Sequence, residues 1–97
     1  MAQFDVFRLS GGALVVDLQT DLIGLEATRI VAPLREAGVH ASFPGLTPSV
    51  EVEGKRWIVR LPELAAVPAA ELRGRITSIA SLRDELNRGL DILIDGL

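Results

Sequence analysis

From Ser81 to Leu97 the chain reads SLRDELNRGLDILIDGL, and Leu82, Leu86, Leu90, Leu93 and Leu97 recur at spacings of four and three. That spacing stacks the leucines on one face of an α-helix, which must lay its apolar stripe against another surface. Ser81 stands where an N-cap is expected, and Asp84 and Glu85 suit a first turn whose amide groups point outward. Gly96 is able to take the left-handed conformation that ends a helix.

The far end of this helix breaks a rule. A helix C-terminus carries partial negative charge and normally recruits Lys, Arg or His. Here it receives Asp91 and Asp95, like charges four residues apart on one face, with the expected terminal carboxylate just beyond. Two readings stand side by side: carboxylates simply solvated at a small cost, or a tip awaiting a cationic partner.

A single helix needs a surface to cover, and the preceding residues read as strands. Gln3–Leu9 alternates (Phe4 and Val6 against Asp5, Phe7 and Leu9), and Ser10-Gly11-Gly12 is a hairpin-like turn. Ala13–Leu18 is almost continuously apolar, as in a strand covered on both faces. Gln19-Thr20-Asp21 is turn-like, and Ala27–Leu34 is a third strand whose Pro33 points to an edge or bulge. Arg35–Gly45 reads as a loop. Ser49–Glu53 and Lys55–Leu61 flank Gly54 as a hairpin, with Val50 and Val52 inward and Glu51 and Glu53 outward. Leu64–Val67 with Pro68 reads as a connector, and Glu71–Ile79 as one more short strand. Strands first and a helix last give an α+β fold, mainly antiparallel β, in one domain spanning residues 1–97.

With 97 residues and 48% hydrophobic content the chain is long enough for one core, and its apolar runs are too short for a membrane span. No basic stretch precedes an apolar one at the start, so no secretion signal is expected. The absence of cysteine removes thiolate metal sites and thiol catalysis, and suits a cytoplasmic location. A net charge of −3 argues against tight, sequence-independent binding to phosphate backbones.

Parts for catalysis are missing. His40 stands alone, so zinc sites and Ser-His-Asp hydrolysis are incomplete, and a loop imidazole with no role is the plainer reading. Gly11-Gly12 is followed by no phosphate-loop lysine. Asp17 and Asp21 are an acid–base pair only in principle; a strand-end cap and a solvated carboxylate explain them as well. Trp57, on an alternating strand, reads as a core or interface anchor. No metal, cofactor or enzymatic activity is expected.

The order of motifs nevertheless resembles a known family. QFDVF at the start, VVDLQTDLI, the strand closing on VAPL, the Pro48–Trp57 hairpin, LAAVP, and a terminal helix ending in Gly and an aliphatic residue are similar to the CcdB toxins. The likeness covers essentially the whole chain and is most specific at Gln3-Phe4, Val16-Asp17-Leu18-Gln19, Val67-Pro68 and Gly96-Leu97. It implies a small antiparallel barrel-like sheet with a C-terminal helix, the fold shared with MazF ribonuclease toxins. It also implies a cytoplasmic homodimer in a type II toxin–antitoxin system.

Such toxins bind the A subunit of DNA gyrase and trap its covalent cleavage complex with DNA, without chemistry of their own. A cognate antitoxin with a segment disordered when free neutralises them, and the pair represses its own operon, reaching operator DNA only as a complex. The family's gyrase contact is a terminal Trp-Gly-Ile, which falls here on Asp95, Gly96 and Leu97. Asp95 departs from it: a carboxylate cannot stack on a guanidinium, but it accepts a bidentate hydrogen bond from one. Asp91 would join this ion pair, and Gln3, Phe4, Thr20 and Leu22 match the region supporting the gyrase or antitoxin contact. Strand packing and turn formation explain Phe4 and Leu22 equally.

Two other outcomes remain open. Asp95 in place of Trp is consistent with a family member that no longer poisons gyrase. A MazF-like RNA-cleaving toxin would need a basic, aromatic groove, for which Arg29, Arg35, Lys55, Arg56 and Arg60 are the available cations.

Overall fold

The computed structural model describes residues 2–20, 27–38 and 43–96. They form seven strands: β1 (Asp5–Arg8), β2 (Leu14–Asp17), β3 (Thr28–Glu36), β4 (Ser49–Val52), β5 (Lys55–Val59), β6 (Ala65–Pro68) and β7 (Gly74–Ser78). One helix follows, α1 (Arg83–Asp95). The strands run in the order β4-β5-β3-β2-β1-β7, with β6 also on β3, and every pairing is antiparallel. The result is a curled, half-barrel sheet carrying a C-terminal helix.

The nine residues of β3 are the spine of this sheet. Along one edge Val31–Leu34 pairs with β2. The other edge is shared, Thr28–Val31 pairing with β6 and Leu34–Glu36 with β5. Pro33 therefore lies inside the strand rather than closing it. Its carbonyl accepts from Arg60 N–H at 2.9 Å, so its missing N–H faces the junction where β6 stops and β5 begins. A ladder tolerates proline where no donor is required.

Three other expectations need correction. Residues 64–68 are mostly strand, not connector: Ala65–Pro68 is β6, and its outer position on the sheet tolerates Pro68. The strand expected over Glu71–Ile79 shortens to β7, because a 3-10 turn occupies Ala69–Glu71. Ser81 does not cap the helix. It lies within a 3-10 turn, Ala80–Leu82, whose Ala80 N–H donates to the Ser78 hydroxyl at 3.2 Å. At the other end Gly96 adopts φ 74° and donates its N–H to Ile92 at 2.9 Å, the left-handed stop its sequence position implied.

Alternation divides the sheet into two apolar faces. Val6, Leu14, Val16, Ala32, Leu34 and Val59 enter the main core, where Leu86 of α1 is fully buried. A fully buried leucine contributes about 2–3 kcal/mol. Phe7, Val15, Val31 and Leu72 form a smaller cluster. All of β2 is consequently buried, including Asp17. Trp57 is half-buried against the main core and donates from Nε1 to the Val52 carbonyl at 3.2 Å.

Candidate functional site

Helix α1 lies where the β4–β5 arm meets the turn at Leu61–Glu63. It approaches closely at Gly89, where a Cβ would stand 2.3 Å from Leu61 Cδ1 and 2.8 Å from the Gly45 carbonyl oxygen. Only a glycine permits that separation. One turn further on, a Cβ on Gly45 would lie 3.1 Å from Ile92 Cδ1, so residues 43–48 support the C-terminal half of the helix. The turn itself is held by the Thr47 hydroxyl, which accepts from Phe43 N–H at 2.8 Å and reaches the Phe43 carbonyl at 3.1 Å.

Beyond this support the helix projects its last turn. Asp91, Ile94 and Asp95 share one face by their spacing of three and four, and all three are exposed, Ile94 to 71%. Neither carboxylate has a hydrogen-bond or ion-pair partner among the described residues. The last turn carries no basic residue, so the helix's negative pole and both aspartates act together. Ile94 was invisible as a site residue in the sequence, where it reads as one more aliphatic position. The available signal was its place between Asp91 and Asp95, off the leucine stripe.

The other predicted residues gather at the opposite end of α1. Gln3 donates from Nε2 to the Leu18 carbonyl at 3.1 Å and accepts from Arg83 at 3.2 Å. Phe4 is fully buried, with the Arg83 guanidinium 5.0 Å from its ring centre. Its φ of 72° is unusual for a bulky residue. Its N–H donates to Asp17 at 2.6 Å and its carbonyl accepts from Ile79 at 2.9 Å, which hold that conformation. Phe4 thus precedes β1 instead of alternating within it. Thr20 is half-buried beyond β2. Arg83 and Asp95 are the first and last residues of α1, about 18 Å apart along its axis. The fold of the single chain therefore does not bring Gln3 and Phe4 to the acidic tip. Leu22 and Leu97 lie outside the described residues, as do His40 and Asp21.

Of the cations named for an RNA groove, Arg29 is taken out of contention. It is buried against Asp17, its Nη2 donating to Oδ2 at 2.7 Å and to the Gln19 carbonyl at 2.9 Å. Asp17 is accordingly not solvated, though Oδ1 does cap the strand end by accepting from Gln19 N–H at 3.0 Å. Arg35, Arg56 and Arg60 share one face of β3 and β5 by register and alternation. Arg35 and Arg60 both reach Glu63, at 3.6 and 2.7 Å, and Arg56 is 3.4 Å from the Ser49 hydroxyl. The hydrogen bond from Arg60 holds the Glu63 carboxyl below its ordinary range, against the opposing effect of desolvation. Lys55 pairs with Glu36 and lies 5.5 Å from the Trp57 ring centre. Among the described residues no cluster of His, Cys, Asp and Glu is arranged to hold a metal ion, and no helix is long and apolar enough to cross a membrane.

A curled antiparallel sheet with one terminal helix is the architecture of the MazF- and CcdB-type toxins. The toxin MazF-mt6 of Mycobacterium tuberculosis matches with a TM-score of 0.76 at 16% identity, over 94% of this chain and 94% of that one. A structure described as an Mtb toxin gives 0.76 at 14% identity, over 92% of this chain and 99% of that one. An endoribonuclease from a mycobacterial species gives 0.76 at 10% identity, over 98% and 91% respectively. Likeness at such identities is likeness of fold. Within that architecture the sequence is specific: the model of the CcdB protein family matches residues 3–96, and the chain belongs to the CcdB toxin family.

Proposed function

We propose that this protein is a gyrase-directed toxin of a type II toxin–antitoxin system, acting as a cytoplasmic homodimer and performing no reaction itself. The carrying observation is the end of α1: in a CcdB-family chain, the helix tip presents two aspartates, unpaired among the described residues, around a 71%-exposed isoleucine. Such a tip fits a partner surface that is apolar at its centre and cationic at its rim. On the gyrase A subunit, arginine side chains would receive Asp91 and Asp95 by charge-assisted hydrogen bonds, in place of the ring stack of the family's Trp. Gly96 ends the helix there.

Dimerisation doubles the tip. What supports it is the outer edge of β6, which pairs only with β3 among the described residues and leaves Ala65, Ala66 and the 43%-exposed Ile30 uncovered. A symmetric partner is also the route by which half-buried Gln3 and Thr20 join the contact surface, with fully buried Phe4 packed beneath them, since one protomer keeps Gln3 away from its own tip. A cognate antitoxin with a segment disordered when free would cover this surface, and operator DNA would be reached only through that complex.

A DNA-cleavage assay with purified gyrase from the protein's own source tests the proposal: linearised plasmid should accumulate with intact protein. Titrated against a fragment of the gyrase A subunit, Asp95→Asn should bind about tenfold or more weakly than the parent. Equal affinity would discard the ion pair, and absence of trapped DNA would discard gyrase as the target. The alternative of an RNA-cleaving toxin draws its support from Arg35, Arg56 and Arg60 on one sheet face. Primer extension on incubated RNA showing site-specific cuts would favour it instead.

A further inference from the structure

A cavity of about 300 Å³ opens where β1 ends and β7 begins, lined by Arg8, Ser10, Ala70, Glu71, Arg73 and Gly74. The sheet is irregular here: β7 shifts register against β1 between Val6 and Phe7, so that Arg75 rather than Ile76 lies opposite Phe7. Bulges of this kind re-aim side chains. Beside the cavity, a Cβ on Gly74 would lie 3.1 Å from the Arg8 carbonyl oxygen, so the glycine lets the two strands close.

Each guanidinium at this cavity is anchored through one atom. Arg8 Nη2 donates to Glu53 in the β4–β5 turn, and Arg73 Nε donates to the Ala70 carbonyl at 2.9 Å. A guanidinium carries five N–H donors, and the remainder of both forks has no partner among the described residues. Anchoring of this sort reduces the ordering cost of binding, because neither arginine has to be fixed from a freely moving state.

We propose that this cavity binds a phosphoryl oxyanion, as free phosphate or as the phosphate of a nucleotide. Donors arrive from three segments of chain: Arg8 at the end of β1, Ser10 in the following turn, and Arg73 ahead of β7. A tetrahedral anion uses donors from several directions, whereas a single arginine fork already satisfies a flat carboxylate. Glu71 weakens the cavity's hold on a bare anion. It is also placed to accept from a hydroxyl or amine adjoining a phosphate, as a nucleotide supplies. The volume lies at the lower end of the range for small-molecule sites and matches such a group. This site is separate from the helix tip and does not depend on gyrase being the target.

The intact protein would be titrated by calorimetry and by amide chemical shifts with inorganic phosphate, a nucleoside monophosphate and, as a carboxylate control, acetate. Shifts centred on Ser10, Arg73 and Gly74 are expected. Arg73→Ala should weaken phosphate binding at least about tenfold, and Arg73→Lys should retain part of it. Arg8→Gln gives an independent reading from the other strand. Tighter binding of the nucleotide than of phosphate would identify a nucleotide site, and equal binding a free-phosphate site. The proposal is overturned by no saturable binding up to about 10 mM, by unchanged affinity in Arg73→Ala, or by acetate binding as tightly as phosphate.

Discussion

Gly89→Ala is expected to destabilise the protein by about 2–4 kcal/mol, measured as a fall in the urea midpoint without change in slope. The sign is the informative part. In an ordinary helix interior the same substitution gains up to about 1 kcal/mol, because alanine is the better helix former. Here the added methyl would meet Leu61 Cδ1 at 2.3 Å and the Gly45 carbonyl oxygen at 2.8 Å. Neither neighbour yields easily: Leu61 is fully buried, and the Gly45 oxygen belongs to a backbone whose φ of 81° favours glycine. The helix must move away, which pulls Leu86 from its fully buried place and displaces the acidic tip. Asn87→Ala, on the exposed face, should leave stability within about 0.5 kcal/mol. A gain in stability for Gly89→Ala would show that the helix does not sit this close to the turn at Leu61.

Gly89 also shows what the sequence conceals. Leucine spacing identified the helix and its buried face, because periodicity is a property of one element. A glycine in the middle of that pattern signals a close approach by something, but the thing approaching is twenty-eight residues earlier at Leu61 and further back still at Gly45. The hairpin around Gly54 was legible for the same local reason as the helix, since turn and alternation lie within one stretch. β6 was not: AAVP has neither strong alternation nor β-branched bulk apart from Val67, and it is a strand only because β3 offers it a partner.

The acidic tip was readable from Asp91 and Asp95, whose spacing is set by the helix itself. Its apolar centre, Ile94, emerged only once the helix's buried side was fixed by contacts. Arg29 shows the same limit more sharply. From the sequence it counts as a cation available to an RNA groove, and nothing within ATRIVAPL announces a carboxylate on the neighbouring strand.

Asp17→Asn should cost about 3–5 kcal/mol, because it leaves Arg29 charged and buried with its fork only partly answered. The pair is withdrawn from water on both sides, with side-chain exposures of 4% for Arg29 and 0% for Asp17. Replacing both residues, as in Asp17→Leu with Arg29→Met, is expected to recover most of that loss, since apolar side chains of similar volume avoid the desolvation cost of two charges. A double-mutant cycle by urea denaturation measures the coupling. If Asp17→Asn and the double variant were equally destabilised, the ion pair would not be the cause. Stability alone does not explain an arrangement that an apolar pair would match.

The hydrogen bonds supply the missing purpose: Asp17 Oδ1 accepts from Gln19 N–H and Arg29 Nη2 donates to the Gln19 carbonyl, so the pair grips the backbone just before Thr20 at both of its polar groups. Gln3 holds the same stretch from the other side through the Leu18 carbonyl. The double variant should therefore fold nearly as stably as the parent yet bind the proposed partners, gyrase or antitoxin, more weakly. If the Gln19–Thr20 backbone needs no such grip, that binding will be unchanged.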